Sequence, residues 1–217
     1  GWFMRETIKI PFGSYYKEKF SKPIRNKKDI VLFIFDAVDA LLVRVSGEEC
    51  GFLWIKKEKM SRIFCFLDEK YFSLVFPFEV ELIRENEFKI YDSFFEIEID
   101  NRKIVLLRRI LDEIDFMGNS IESIIEDAYL DVAENGYEHE EIEQCFMLIL
   151  RLLSMELGYI RYDYDPEHEN GKFHPLHHLD INYSSKGTYK LGMNNKIQIN
   201  DFVDLLDVKK ECRYIKE

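Results

Sequence analysis

The sequence predicts an α+β fold: an antiparallel β-meander, then a three-helix group, then a C-terminal strand pair with a short closing helix. Three observations predict it. Residues 50–100 alternate apolar and charged side chains with period two, residues 102–158 return to a helical period, and the chain then passes without a linker from an apolar helix into segments that alternate again. A chain of 217 residues, 47% hydrophobic and 33% charged, buries roughly 70% of its unfolded surface on folding, so its core needs neither metals nor disulfides. Eighteen Phe and twelve Tyr against ten Gly and five Pro favour ordered, strand-rich packing over disorder.

Taken in order, residues 1–26 read as an extended arm ending in a polar turn at Pro23, and the opening Gly1-Trp2 reads as a fragment boundary. Asp29–Val45 is a nearly continuous apolar run, read as a helix through Ala40. Asp36 and Asp39 on it are spaced D-x-x-D rather than the D-x-D of a phosphatase aspartate loop, which makes them two acids on a helix surface. The segments GFLWIKK, SRIFCFLD, YFSLVFPFEVELIRE, FKIY and SFFEIEID then alternate, most clearly at Glu79-Val80-Glu81-Leu82 and at Glu96 to Asp100. Such alternation gives one buried and one wet face, the pattern of antiparallel strands.

A first helix is expected over 102–117, stopped by Gly118. A second is expected from an N-cap at Asn119, with Glu122 completing the capping box, to Gly136. The third starts among the acids Glu138 to Glu143 and becomes almost wholly apolar in CFMLILRLLSMEL, the core helix, ending before Gly158. Tyr159–Asp165 is a strand, HHLDINY a second and GTYKLGM a third, and Asn200–Leu206 is a closing helix capped by Asn200. Nothing divides the chain into separate parts, so a single domain over 1–217 is expected: arm, helix and meander over 1–100, helices over 101–158, polar strands and closing helix over 159–217.

The formal net charge of -11 opposes unassisted binding along a nucleic-acid backbone, which needs clustered Lys and Arg. Short basic clusters at Lys22–Lys28, Arg102–Arg109 and Lys209–Lys216 are candidate local patches, or simply solvated surface. Cys50, Cys65, Cys145 and Cys212 stand far apart with no C-x-x-C pair, which argues against a zinc knuckle and for a reducing, cytoplasmic compartment. No apolar run is long enough to span a bilayer, so no membrane association is expected. A Gly-rich phosphate loop and a G-x-S-x-G elbow are absent from the sequence.

The chemistry-bearing stretch is YIRYDYDPEHENGKFHPLHHLDINYS, Tyr159–Ser184, which holds four of the five histidines. Period two places Arg161, Asp163 and Asp165 on one strand face and His178, Asp180 and Asn182 on one face of the next. Pairing those faces gathers Arg161, Asp163, His178 and Asp180, with His174 at the rim before Pro175. Three uses of such a group stay open. A histidine titrating near neutrality, a carboxylate to orient it and an arginine for an anion are the parts of acid-base chemistry on phosphate. His174, His178, Asp163 and Asp180 could instead hold a divalent metal in some combination. Or Arg161 with Asp163 or Asp180 is an ion pair fastening two strands, with the imidazoles bonded to backbone. His168 and His139 read as surface residues.

The order R-Y-D-Y-D-P, a polar gap, H-P-L-x-H-L-D-I-N, a strand and an F-V-D-L-L helix resembles the C-terminal part of a bacterial family known as a domain of unknown function. The resemblance covers residues 158–206 and matches at Arg161, Asp163, Asp165, His174, Pro175, His178 and Leu179. Asp180 departs from it, standing where many relatives carry another histidine. A looser likeness is to small bacterial toxins with a His-rich loop, linked to RNA cleavage. These resemblances imply a phosphodiester-processing protein, an RNase-like toxin or phage-defence effector acting on RNA or DNA. In it His174 and His178 serve as acid and base or metal ligands, Asp163 and Asp180 orient or coordinate, and Arg161 binds phosphate. The alternative is a non-enzymatic interaction module with a protein partner in a bacterial complex, the cluster acting structurally.

Overall fold

The computed structural model describes residues 7–43, 48–57, 61–85, 87–114 and 136–215. The fold is a mixed α+β one whose strands all pair antiparallel. Its described elements gather into two compact units that share the chain in alternation: one holds 27–43, 77–85, 87–114 and 136–156, the other 7–26, 48–57, 61–76 and 157–215.

The second of these carries a seven-stranded sheet. In chain order its strands are β1 (Thr7–Phe12), β2 (Gly51–Lys56), β3 (Arg62–Phe66), β4 (Lys70–Val75), β8 (Ile160–Tyr164), β9 (His177–Ile181) and β10 (Tyr189–Met193), and they lie side by side in that order. The residues expected to form an extended arm thus supply one edge strand, β1, and helix α1 (Ser14–Phe20) follows it directly. The three strands expected over YIRYDYD, HHLDINY and GTYKLGM are β8, β9 and β10, and β8 continues the sheet by pairing Tyr162 with Tyr71 of β4.

Alternation gives this sheet two different faces. On one, Phe64, Phe66, Tyr71, Tyr162 and Leu179 form an aromatic-rich core. It is closed by Phe202 and Val203 of the last helix, Ile199–Leu205. Burying a side chain such as Phe202, which is fully enclosed, stabilises by about 1.5–3 kcal/mol. The other face is apolar on β2, β3 and β4, where Leu53, Ile55, Ile63, Cys65, Phe72 and Leu74 are all buried, and becomes polar on β8, β9 and β10.

The remaining unit packs α2 (Lys27–Leu42), α3 (Asn101–Glu113) and α4 (His139–Ser154) on one another, and α2 also touches the middle strand of a small sheet. That sheet is β5 (Glu79–Arg84), β6 (Glu87–Asp92) and β7 (Ile97–Glu98). The long alternating stretch therefore divides between two sheets at Pro77, which has no N–H to continue a ladder.

Several expectations shift in detail. Helix α3 ends at Glu113 and is capped by Asp100, whose carboxylate accepts the Lys103 backbone N–H at 2.8 Å. The helix expected from Asn119 to Gly136 falls on residues outside those described, apart from Gly136. The closing helix, α5 (Ile199–Leu205), begins after Gln198, so Asn200 lies inside it and is not its cap. Asp36 is not a surface acid: it is buried, and Arg108 of α3 donates to it at 2.7 Å. Cys65 and Cys145 are buried as expected, and burial pushes both thiols up, that of Cys145 to about 12. Among the described residues no helix is long and apolar enough to cross a membrane.

Candidate functional site

The register of β8, β9 and β10 decides which polar side chains meet. Arg161 stands opposite Asp180 and Asp163 opposite His178, while Lys190 stands opposite Asp180 on the far side. Directly opposed residues share a face, so three strands deliver these five groups to one patch. Arg161 Nε donates to Asp163 Oδ2 at 2.7 Å, and its Nη2 donates to Asp180 Oδ2. The other oxygen of Asp180 accepts from Thr188 Oγ1 and from Lys190 Nζ, each at 2.7 Å. His178 and Asp180 are wholly enclosed, whereas Arg161, Asp163 and Lys190 each keep an edge towards solvent.

His178 is held by its own loop. Its Nδ1–H donates to the Pro175 carbonyl oxygen at 2.8 Å, which leaves Nε2 as the nitrogen that gains or loses a proton. Lys190 Nζ lies 3.2 Å from Nε2, while Asp163 Oδ2 and Asp180 Oδ2 lie at 3.6 and 3.8 Å. A neutral ring accepts from Lys190, and an imidazolium faces two carboxylates instead. Burial opposes the charged ring, but Asp163, the Pro175 carbonyl and Asp180 outweigh burial and Lys190, so the His178 pKa is raised. For Asp180, burial pushes up and the bonds from Lys190 and Thr188, with the Arg161 charge, pull down further. The net shift is downward. Burial weakens the Arg161 cation, yet Asp163, Tyr159 and Asp180 together raise its pKa.

His174 lies at the rim, as its place before Pro175 suggested. Its ring meets that of His178 edge to face at 4.8 Å between centroids, but its hydrogen bond goes elsewhere, with Nε2 3.1 Å from Asp165 Oδ2. Asp165 also meets His168 Nδ1 at 2.9 Å. Burial nudges the Asp165 pKa up and the two imidazoles bring it net down. Asp165 has left the strand, and its backbone N–H bonds the Leu176 carbonyl, so this trio adjoins the buried patch only through the His174 ring. His177, the immediate neighbour of His178, points to the opposite face, where its Nδ1 is 2.9 Å from the Tyr162 hydroxyl and its ring stacks on Tyr164.

Four participants were not singled out in the sequence. Lys190 and Thr188 share a face of the third strand with Gly192, and period two applied to GTYKLGM would have found them. Tyr159, whose hydroxyl burial pushes up to about 12, interacts with Arg161. Lys70 stands opposite Asp163 on β4, and burial, with the Arg161 charge beside it, lowers its pKa. Only the fold brings β4 there.

No family model, no curated protein and no solved structure matches this chain. What the patch can do rests on its own chemistry. Asp163, His178 and Asp180 offer ligand atoms within 4.8 Å of one another, a donor set of the right types for a divalent cation. Arg161 bonds both Asp163 and Asp180, however, and Lys190 bonds Asp180, so cations of the chain already occupy these carboxylates. For acid-base chemistry the ordering is unfavourable to a substrate, since His178 and Asp180 are enclosed while Arg161, Asp163 and Lys190 stand at the edge.

Proposed function

We propose that this protein is a non-enzymatic interaction module, in which Arg161, Asp163, His178, Asp180 and Lys190 fasten three strands together. One observation carries this reading: His178 and Asp180 have no solvent exposure, and each Asp180 oxygen is bonded by a cation of the chain itself. A general acid or base must reach the proton it moves directly or through one water, and an enclosed Nε2 ringed by Asp163, Asp180 and Lys190 has no such route. The fastening has a use. β10 is an edge strand with Tyr189 and Leu191 exposed, and Lys190 between them anchors it, holding an open strand edge in place for a protein partner.

The second reading is a phosphodiester-processing enzyme of the toxin or defence kind. The convergence of Arg161, Asp163 and His178, with the His174 ring against His178, supports it, as do the motif resemblances. In that reading Arg161 and Lys190 bind phosphate and His174, the more accessible imidazole, meets the substrate.

The test is RNA and DNA cleavage by the purified protein, with and without divalent metal, beside His178→Ala and His174→Ala variants whose folding is checked by circular dichroism. The interaction-module reading expects no cleavage under any condition and a less stable His178→Ala protein. Cleavage lost in a variant that keeps its fold and stability would replace it with the enzyme reading.

A further inference from the structure

Among the described residues the seven-stranded sheet ends in β1 on one side and β10 on the other, and the two edges are built differently. Exposed edges are normally guarded against pairing by a proline, a charged side chain or a bulge. β1 carries Pro11, which has no N–H to offer, and Lys9, and both are exposed. β10 carries no proline, and its register against β9 runs unbroken from Tyr189 to Met193. Its one charged side chain, Lys190, is turned into the polar patch, where it bonds Asp180.

The register also carries one row of side chains across the whole sheet. Pro11 stands opposite Phe52, Phe52 opposite Phe66, Phe66 opposite Tyr71, Tyr71 opposite Tyr162, Tyr162 opposite Leu179 and Leu179 opposite Leu191. At β1 this row closes on the proline. At β10 it runs off the edge at Leu191, which is 43% exposed, beside Tyr189, which is 86% exposed. An added strand would extend both the ladder and the apolar row.

Charge selects the occupant. The chain has 41 acidic residues against 30 Lys and Arg, yet Ile181 to Asn200 contains Lys186, Lys190 and Lys196 and no Asp or Glu. Lys186 and Lys196 flank β10 on its two sides in sequence, both are exposed, and among the described residues neither forms an ion pair. A second copy of the chain fits this edge poorly. Antiparallel pairing of two β10 strands about Leu191 brings Lys186 of each copy towards Lys196 of the other, and pairing about Lys190 sets two lysines face to face, where like charges repel.

Resting on the interaction-module reading, we propose that β10 takes an acidic, extended segment of a partner protein as an eighth strand. Its apolar residues continue the row beyond Tyr189 and Leu191, and its carboxylates meet Lys186 and Lys196. Main-chain hydrogen bonds to the open edge supply affinity, and the lysines steer the segment and reject basic ones.

The experiment titrates two synthetic peptides into the whole protein, one alternating Glu and Val and one alternating Lys and Val, and follows backbone amide NMR shifts. The Glu-Val peptide should bind about tenfold more tightly, more weakly as salt rises, with its largest shifts at Tyr189–Met193 and none at Thr7–Phe12. Lys186→Glu combined with Lys196→Glu changes two exposed side chains and should reverse the preference. Equal affinity for the two peptides, shifts that spare Tyr189–Met193, or no binding of either overturns the proposal. So does dimerisation through Tyr189–Met193, which would make a second copy the occupant. Failure of the interaction-module reading is a separate result: RNA or DNA cleavage overturns that reading, whereas absence of cleavage together with no acidic preference overturns the acidic partner alone.

Discussion

Asp92 and Asp180 are both fully buried carboxylates and both face an arginine, but their surroundings differ. Asp92, at the end of β6, meets Arg151 of α4 and accepts the Phe95 backbone N–H at 2.9 Å. Among the described residues Arg151 is the one cation that reaches it. Asp180 meets Arg161, Lys190 and Thr188, with Asp163 and a titratable imidazole alongside. A one-to-one pair joins a strand to a helix and depends wholly on each partner. A shared patch spreads one buried charge over three strands, survives the loss of one member, and gains a dependence on pH. Redundancy and a neighbouring imidazole are the two features that separate them.

The largest test of that contrast is Arg151→Met, which strands Asp92 in a buried site with no cation. We expect a loss of about 3–5 kcal/mol in urea denaturation. Lys190→Met removes a charged hydrogen bond but leaves Arg161 on Asp180, and the expected loss is smaller, about 1.5–3 kcal/mol. Equal losses for the two variants would show that the patch is not redundant.

A milder perturbation acts on the anchor of His178. A Cβ on Gly192, opposite His178, would lie 2.9 Å from Pro175 Cγ. Gly192→Ala should therefore push the Pro175 loop, whose carbonyl fixes the imidazole, and cost about 1 kcal/mol.

The last test reads the titratable groups of the patch by pH. A histidine with a raised pKa in the folded state contributes stability that is full below its ordinary value of 6.5 and lost as pH rises through the raised one. The lowered pKa of Asp180 works from the other side: its contribution is present above the ordinary 3.8 and lost as pH falls through the lowered value. Urea denaturation across pH should show stability declining on the alkaline side of the histidine range, and His178→Asn should flatten that limb alone. An unchanged limb in the variant would assign the pH dependence to another group.

Much of this was legible in the sequence because period and side-chain chemistry are local properties. The two strands of the histidine stretch, their polar faces, the rim position of His174 and the surface position of His168 follow from alternation and from Pro175. Local pattern was also enough for α2 and α4, whose apolar runs exceed the length of a buried strand. The two units left no linker to read, because the chain alternates between their segments.

What the sequence determined by itself was which residues face the same way. Arg161 and Asp163 share a side of one strand, and His178 and Asp180 share a side of the next, because successive side chains on a strand alternate. Only the tertiary structure decided what that face looks at. Pairing of β10 with β9 brought Lys190 and Thr188 to Asp180, pairing of β8 with β4 brought Lys70 opposite Asp163, and register set Lys56 opposite Arg62. Charge balance and solvent access depend on neighbours distant in sequence, and those neighbours distinguish an enclosed fastening from an open site.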